Sequence, residues 1–416
     1  MPIWRVRGGN ELRGSVKIQG AKNAVLPIMA ASVVGGGISK LTNCPLLSDV
    51  NASVEILRHL GCNVYIDGHE ITIDSRNVHI SYIPHELMLK MRSSVMFMGA
   101  ILARMGEVRL STPGGCELGS RPIDLHLKAL EAMGAKIVHE GGEVYCRADK
   151  LVGAHINLEF PSVGATENIM LAACSAQGET IITNAAREPE IEDLQKFLRA
   201  KGADVEGAGS SVIKIRGFNP KEYVHHEIMP DRIVASTYLC ACAAAGGEVS
   251  LENIIAPHLS AVISSLEAMG CDILSEGRAV YIHRKSSLKA LRPVITKPYP
   301  GFPTDAQALL MASCLKAEGT SVFVENIFES RYGHVPEMRR LGADIRTEGR
   351  VAMVMGTDEL IGAPVNACDL RGGAALIIAG LSAKGETKVF DIGHIERGYE
   401  SISEDLRSLG ADINME

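Results

Sequence analysis

Apolar residues recur along this chain in two alternating registers. Stretches with leucine, isoleucine and alanine three and four apart, such as Ile123-Asp124-Leu125-His126-Leu127-Lys128-Ala129-Leu130, predict amphipathic helices. Short runs of period two, such as Asn63-Val64-Tyr65-Ile66 and Glu70-Ile71-Thr72-Ile73 on either side of Asp67-Gly68, predict hairpins. The two patterns meet six times in one phrase, L-x-x-x-G-[AC]-x-[IV] with small variations, at 57–64, 130–137, 198–205, 266–273, 338–345 and 406–413. Its glycines, Gly61, Gly134, Gly202, Gly270, Gly342 and Gly410, recur about every 70 residues, the mark of a repeated structural unit. Glycine suits the left-handed residue that follows a helix.

A second, more apolar helix precedes the first in every unit, at 24–34, 93–105, 166–177, 233–245, 306–318 and 374–384. A helix apolar on most faces belongs inside a domain. Each such stretch runs to a glycine: Gly36, Gly106, Gly178, Gly246, Gly319 and Gly385. The unit reads helix, strand, loop, helix, hairpin, which predicts an α/β fold with three units per domain, helices buried and sheet outside. The sixth unit stops at Glu416 before its hairpin is complete, while Ile3-Trp4-Arg5-Val6-Arg7-Gly8 is a spare strand patterned like Val212-Ile213-Lys214-Ile215-Arg216-Gly217. Residues 1–21 are therefore expected to complete a domain with 230–416, leaving 22–229 as an inserted domain. Two crossings, near 19–22 and 226–231, permit hinge motion, and the cleft between the domains is the expected active site.

Composition narrows the function. Hydrophobic content of 46% and charged content of 22% describe an ordinary globular chain. A net charge of −7 argues against general nucleic-acid binding, so any site for an anion has to be a local cluster of cations. The start of the chain has no signal-peptide apolar region, and the longest small-apolar stretch, 234–245, is too short to span a bilayer. Ten cysteines without paired C-x-x-C spacing suggest a reducing cytoplasm and no metal site. No cofactor is expected.

Chemistry is sought where the repeats disagree. Fourteen residues before the glycines that close the apolar helices, one slot holds Lys22, Arg92, Gly164, Arg232, Asp305 and Arg371. This is the N-terminal edge of each buried helix, where N–H groups are free and the dipole disfavours cations. Basic residues there suggest an external anion. Asp305 after Thr304 has a plainer reading, a first-turn acid favoured by the dipole. A second slot, thirteen residues before the phrase glycines, holds Arg121, Glu329 and Arg397. Surface arginine is the ordinary reading of such positions, but Arg121-Pro122 opens a helix. The connector 111–122 carries three glycines and two prolines around Cys116, which predicts a mobile loop. A thiol beside an arginine and near a helix N-terminus should have a lowered pKa. The other nine cysteines read as small core residues.

Taken together, Gly20-Ala21-Lys22-Asn23-Ala24, Pro113-Gly114-Gly115-Cys116 through Arg121-Pro122-Ile123-Asp124, Ser162-Val163-Gly164-Ala165-Thr166, Ala186-Arg187-Glu188-Pro189-Glu190, Gly301-Phe302-Pro303-Thr304-Asp305 and Glu396-Arg397-Gly398-Tyr399 resemble the UDP-N-acetylglucosamine 1-carboxyvinyltransferases, over nearly the whole chain. The resemblance implies two inverted α/β barrel-like domains with three-fold pseudo-symmetry. It implies transfer of the enolpyruvyl group of phosphoenolpyruvate to the 3-hydroxyl of UDP-N-acetylglucosamine, with release of phosphate, in the first committed step of peptidoglycan synthesis. By the family's pattern Lys22, Asn23, Arg121, Arg371 and Arg397 would hold phosphoenolpyruvate. Asn23, Arg92, Arg121, Pro122, Ile123, Asp124, Leu125, Ser162, Val163, Gly164, Asp305 and Ile327 would contact the nucleotide sugar. Cys116 matches the general acid and the site of a covalent adduct, and by the same resemblance would be the residue alkylated by the epoxide antibiotic fosfomycin. Asp305 matches the group that takes the hydroxyl proton, with Lys22 and Arg397 also in the catalytic set. The connector would act as a lid. Phe160 stands where some relatives carry lysine, which removes a charged side-chain contact at that position. Two other readings are the sister transferase acting on shikimate 3-phosphate and a non-catalytic sugar-nucleotide sensor. The cysteine loop disfavours the first, and the joint retention of Lys22, Cys116, Asp305 and Arg397 disfavours the second.

Overall fold

The structure, a computed structural model, describes residues 3–111 and 123–416. These residues divide into two compact units, one of 20–111 with 123–229 and the other of 3–19 with 230–416. Each has its own core. One apolar cluster draws only on residues 21–229, the other only on 4–18 and 233–413.

Six buried helices carry the cores: α1 Lys22–Ala31, α2 Phe97–Met105, α3 Val163–Ala173, α4 Arg232–Ala245, α5 Thr304–Ser313 and α6 Leu370–Ser382. Every residue of α1 except Asn23 is buried. In the second unit α4, α5 and α6 pack against one another. Fully burying one leucine or isoleucine here contributes about 1.5–3 kcal/mol, so all-round apolar helices hold the units together. The six phrase glycines have φ between 90° and 111°, and the six glycines closing the apolar stretches lie between 74° and 104°. Side chains rarely adopt that conformation, so twelve repeats of glycine mark twelve chain reversals. Several buried helices stop short of their glycine. Thus α5 ends at Ser313 and a 3-10 turn, Cys314–Lys316, follows.

Sheets cover the helices. The described residues form six four-stranded sheets of one design. In one, Tyr82–Ile83 runs parallel to Glu107–Ser111, and the hairpin Lys136–Glu140 and Glu143–Arg147 completes the sheet antiparallel. The lead strand before each buried helix is an addition to the unit expected from sequence. It is two or three residues long in four of the six sheets, too short for period two to register. The two longer lead strands come from far along the chain. Tyr223–Glu227 pairs with Ile38–Thr42, and Leu12–Lys17 pairs with Gly247–Glu252. Trp4–Arg7 lies between Glu386–Phe390 and Asp412–Met415, antiparallel to both. In the other five sheets that place belongs to the hairpin's own second strand.

Candidate active site

The first unit supplies Lys22 as the opening residue of α1, whose N-cap Ala21 offers no side-chain acceptor. Lys22 is buried, and its Nζ lies 2.6 Å from Asp49 Oδ2, also buried. Asn23 follows, half-buried. Arg92 opens the 3-10 turn Arg92–Met96 that leads into α2. Ser162 caps α3, its Oγ accepting from the Ala165 N–H at 3.3 Å, with Val163 and Gly164 as the first helical residues. Thr166 Oγ1 accepts the Ala186 N–H at 3.1 Å, which ties the Ala186–Glu190 motif to the same helix end.

His126 joins two of the expected nucleotide segments. It follows Ile123, Asp124 and Leu125, and its ring lies against Gly164, where a Cβ would stand 3.1 Å from Cε1. The Asn168 amide donates to His126 Nδ1 at 2.7 Å and to Val95 O, while Asn168 Oδ1 accepts from Gly99 N–H. Burial pushes the His126 pKa down to about 4, so the ring is neutral, with Nδ1 as acceptor and the proton on Nε2. One asparagine thus fixes the histidine, and the histidine fixes the distance between segment 123–125 and the 162–164 turn.

In the second unit the charges interlock. Asp305, the second residue of α5, pairs with Arg331 Nη2 at 3.2 Å and lies 3.9 Å from Arg371 Nε. The Arg331 side chain is 2% exposed and donates twice to Thr304 O. Its Nη1 lies 3.8 Å from Asp369 Oδ1. Asp369 caps α6 by accepting the Arg371 and Gly372 N–H groups. Burial alone would raise its pKa, but Arg331 and the Gly372 N–H hold the carboxyl below its usual value. Arg371 is buried against the Tyr399 ring, 5.5 Å from guanidinium carbon to ring centre. Burial opposes its charge, yet Tyr399, Asp305 and Asp231 outweigh that and raise its pKa. Its Nε and Nη1 are buried with no hydrogen-bond partner among the described residues. Glu325, buried, accepts from Ile327 N–H at 2.7 Å and Thr304 Oγ1 at 2.9 Å, so Ile327 is fastened to the start of α5. Arg397, half-buried, ends the short helix Gly393–Glu396.

These contacts correct the expected helix edge. The first N–H groups of α4 and α6 are not open to an outside anion, because Asp231 and Asp369 cap them. The basic residues of the slot answer internal carboxylates as well: Asp49 for Lys22 and Asp305 for Arg371. Arg232 lies over the Tyr299 ring at 5.6 Å. Cys368 departs from the core reading, being half-buried with Sγ 3.5 Å from Asp369 Oδ2. Cys116, Arg121 and Pro122 lie outside the described residues.

A family profile described as EPSP synthase (3-phosphoshikimate 1-carboxyvinyltransferase) matches residues 6–406. The chain is 48% identical over 413 residues to UDP-N-acetylglucosamine 1-carboxyvinyltransferase 2 of Caldanaerobacter subterraneus subsp. tengcongensis, covering 99% of each protein. It is 48% identical over 415 residues to UDP-N-acetylglucosamine 1-carboxyvinyltransferase 2 of Carboxydothermus hydrogenoformans, again covering 99% of each. The chain belongs to the UDP-N-acetylglucosamine 1-carboxyvinyltransferase family of enolpyruvyl transferases. A solved structure, the enolpyruvyl transferase NikO from Streptomyces tendae, superposes with a TM-score of 0.89 at 26% identity, covering all of this chain and 98% of that one. The α/β fold read from the repeats is that of the family.

Among the described residues no helix is long and apolar enough to cross a membrane, and no group of three histidine, cysteine or acidic residues could hold a metal ion. Arg331, Asp369, Asp49, His126, Asn168 and Glu325 escaped the sequence reading. One signal was available for Asp369: an acidic residue two positions before Arg371 has the look of an N-cap.

Proposed function

We propose that this chain transfers the enolpyruvyl group of phosphoenolpyruvate to the 3-hydroxyl of UDP-N-acetylglucosamine, releasing phosphate, as the first committed step of peptidoglycan synthesis in the cytoplasm. The observation that carries the reading to a site is Arg371: a buried guanidinium whose Nε and Nη1 have no hydrogen-bond partner among the described residues, beside the Arg331–Asp305 pair. A small carboxylate or phosphate supplies the acceptors such donors lack. Two unit charges about 4 Å apart interact by roughly 4 kcal/mol at an effective dielectric near 20, so a cationic cluster can both bind the anion and stabilise departing phosphate.

In this reading Lys22, Asn23, Arg121, Arg371 and Arg397 hold phosphoenolpyruvate. Cys116 delivers a proton to its C3, which makes C2 electrophilic. The sugar hydroxyl attacks C2 as Asp305 takes the hydroxyl proton. Loss of a proton from C3 then restores the double bond and expels phosphate. Asn23, Arg92, Arg121 to Leu125, Ser162 to Gly164, Asp305 and Ile327 bind the nucleotide sugar. The fixed spacing of 123–125 and 162–164 through His126 supports that grouping.

Phosphate release measured with UDP-N-acetylglucosamine and with shikimate 3-phosphate tests the acceptor. The relatives' names favour the former, and turnover with shikimate 3-phosphate alone would overturn it. Cys116→Ala and Asp305→Ala should each lose about 10²–10⁴-fold in kcat, the usual worth of a proton-transfer group. Activity surviving in both would refute these roles.

A further inference from the structure

We propose that Gln19 is a positioning residue for Arg397, acting through the backbone of 398–400; this rests on the reading that Arg397 binds phosphoenolpyruvate. Arg397 follows a helix of four residues, and the next helix begins only at Ile402. Between them the chain has no ladder to hold it. The Gly398 and Tyr399 N–H groups turn back to Ile395 O, but the Gly398 carbonyl and the Glu400 N–H point onward. Gln19 meets both. Its Nε2 donates to Gly398 O at 3.3 Å, and its Oε1 accepts from the Glu400 N–H at 3.0 Å. The amide thus brackets Tyr399, whose ring lies against Arg371 and whose hydroxyl is 2.8 Å from Thr237 Oγ1. The Gln19 carbonyl accepts the Asp231 N–H at 2.9 Å, and Asp231 in turn caps α4. One residue therefore ties the segment carrying Arg397 to the two places where the chain passes between its units. The side chain serves the Arg397 segment and the backbone serves the crossing, so a side-chain substitution separates the two.

Gln19→Met keeps the length and removes both side-chain hydrogen bonds. The KM for phosphoenolpyruvate should rise about three- to tenfold, as expected for one or two such bonds. The KM for UDP-N-acetylglucosamine and the melting temperature should stay at wild-type values. In an Arg397→Lys background the same substitution should add nothing further, because both changes act through one contact. Equal rises in both KM values, a fall in melting temperature alone, or full additivity with Arg397→Lys would overturn the positioning role. An Arg397→Lys variant with unchanged KM for phosphoenolpyruvate would instead overturn the underlying assignment of Arg397, a result separable from any effect of Gln19.

Discussion

Arg331 Nη2 lies 3.2 Å from Asp305 Oδ1, so the carboxylate proposed to take the hydroxyl proton is held by a guanidinium that is itself 2% exposed. The same guanidinium grips Thr304 O and faces Asp369. Breaking a buried charge network by removing one partner costs more than the network is worth against an apolar replacement, because charges are left unpaired. Arg331→Met should lower stability by about 3 kcal/mol in urea unfolding. It should also cut kcat by more than tenfold. Arg331→Lys should recover little activity, since one ammonium cannot reproduce the fork. Wild-type turnover in either variant would remove Arg331 from the site.

Gly164→Ala sets two effects against each other. Alanine in a helix is favoured over glycine by about 0.5–1 kcal/mol. Its Cβ would stand 3.1 Å from His126 Cε1, and the ring cannot easily retreat because Asn168 holds Nδ1 at 2.7 Å. Overpacking of this kind costs about 1–3 kcal/mol, so the clash wins. The variant should be modestly less stable, with a several-fold higher KM for the nucleotide sugar and an unchanged KM for phosphoenolpyruvate. Steady-state kinetics with each substrate varied in turn would show this split or its absence.

His126 makes stability depend on pH. Its pKa is about 4 in the fold against an ordinary 6.5, so between those values the unfolded chain binds a proton that the folded chain does not. The stability is fully present above about 6.5 and declines as pH falls toward 4. His334, buried in the other unit and likewise pushed down to about 4 by burial, acts in the same direction. His126→Gln should therefore flatten, without abolishing, the fall in unfolding free energy across that window. An unaltered slope would mean that His126 is protonated in the fold.

Cys116 should be the thiol that fosfomycin modifies. Eight of the nine described cysteines are buried, and burial raises their pKa, for example to about 12 at Cys44, Cys146 and Cys174. Such thiols are poor nucleophiles. Intact mass should show one adduct accompanied by loss of activity, and Cys116→Asp should show neither adduct nor inhibition. An adduct at Cys368, the half-buried exception, would contradict the assignment.

How much of this was legible from residues alone depended on the range of the interaction. Helix and strand periods, and glycine at each reversal, are local, so the repeat and the six buried helices could be read directly. The spare N-terminal strand could be inferred because a sixth unit lacked one. The lead strands could not, being two or three residues long in most sheets. At the site, the slot comparison picked out Lys22, Asp305 and Arg371, because an unusual charge at a repeated helix edge is visible within one unit.

Their partners were not visible. Asp49 and Arg331 stand out by no local pattern, Asp369 offers only the look of an N-cap, and Gln19 meets Gly398 and Glu400 across nearly the whole chain. The sequence by itself determined the repeated unit, the helices that must be buried and the cations that break the pattern. Only the tertiary structure decided which carboxylates Lys22 and Arg371 answer, which helix ends are already capped, and which distant groups His126 and Gln19 meet. Periodicity follows from backbone geometry over a few residues, whereas a charge or amide finds its partner only when packing brings distant elements within 3 to 4 Å.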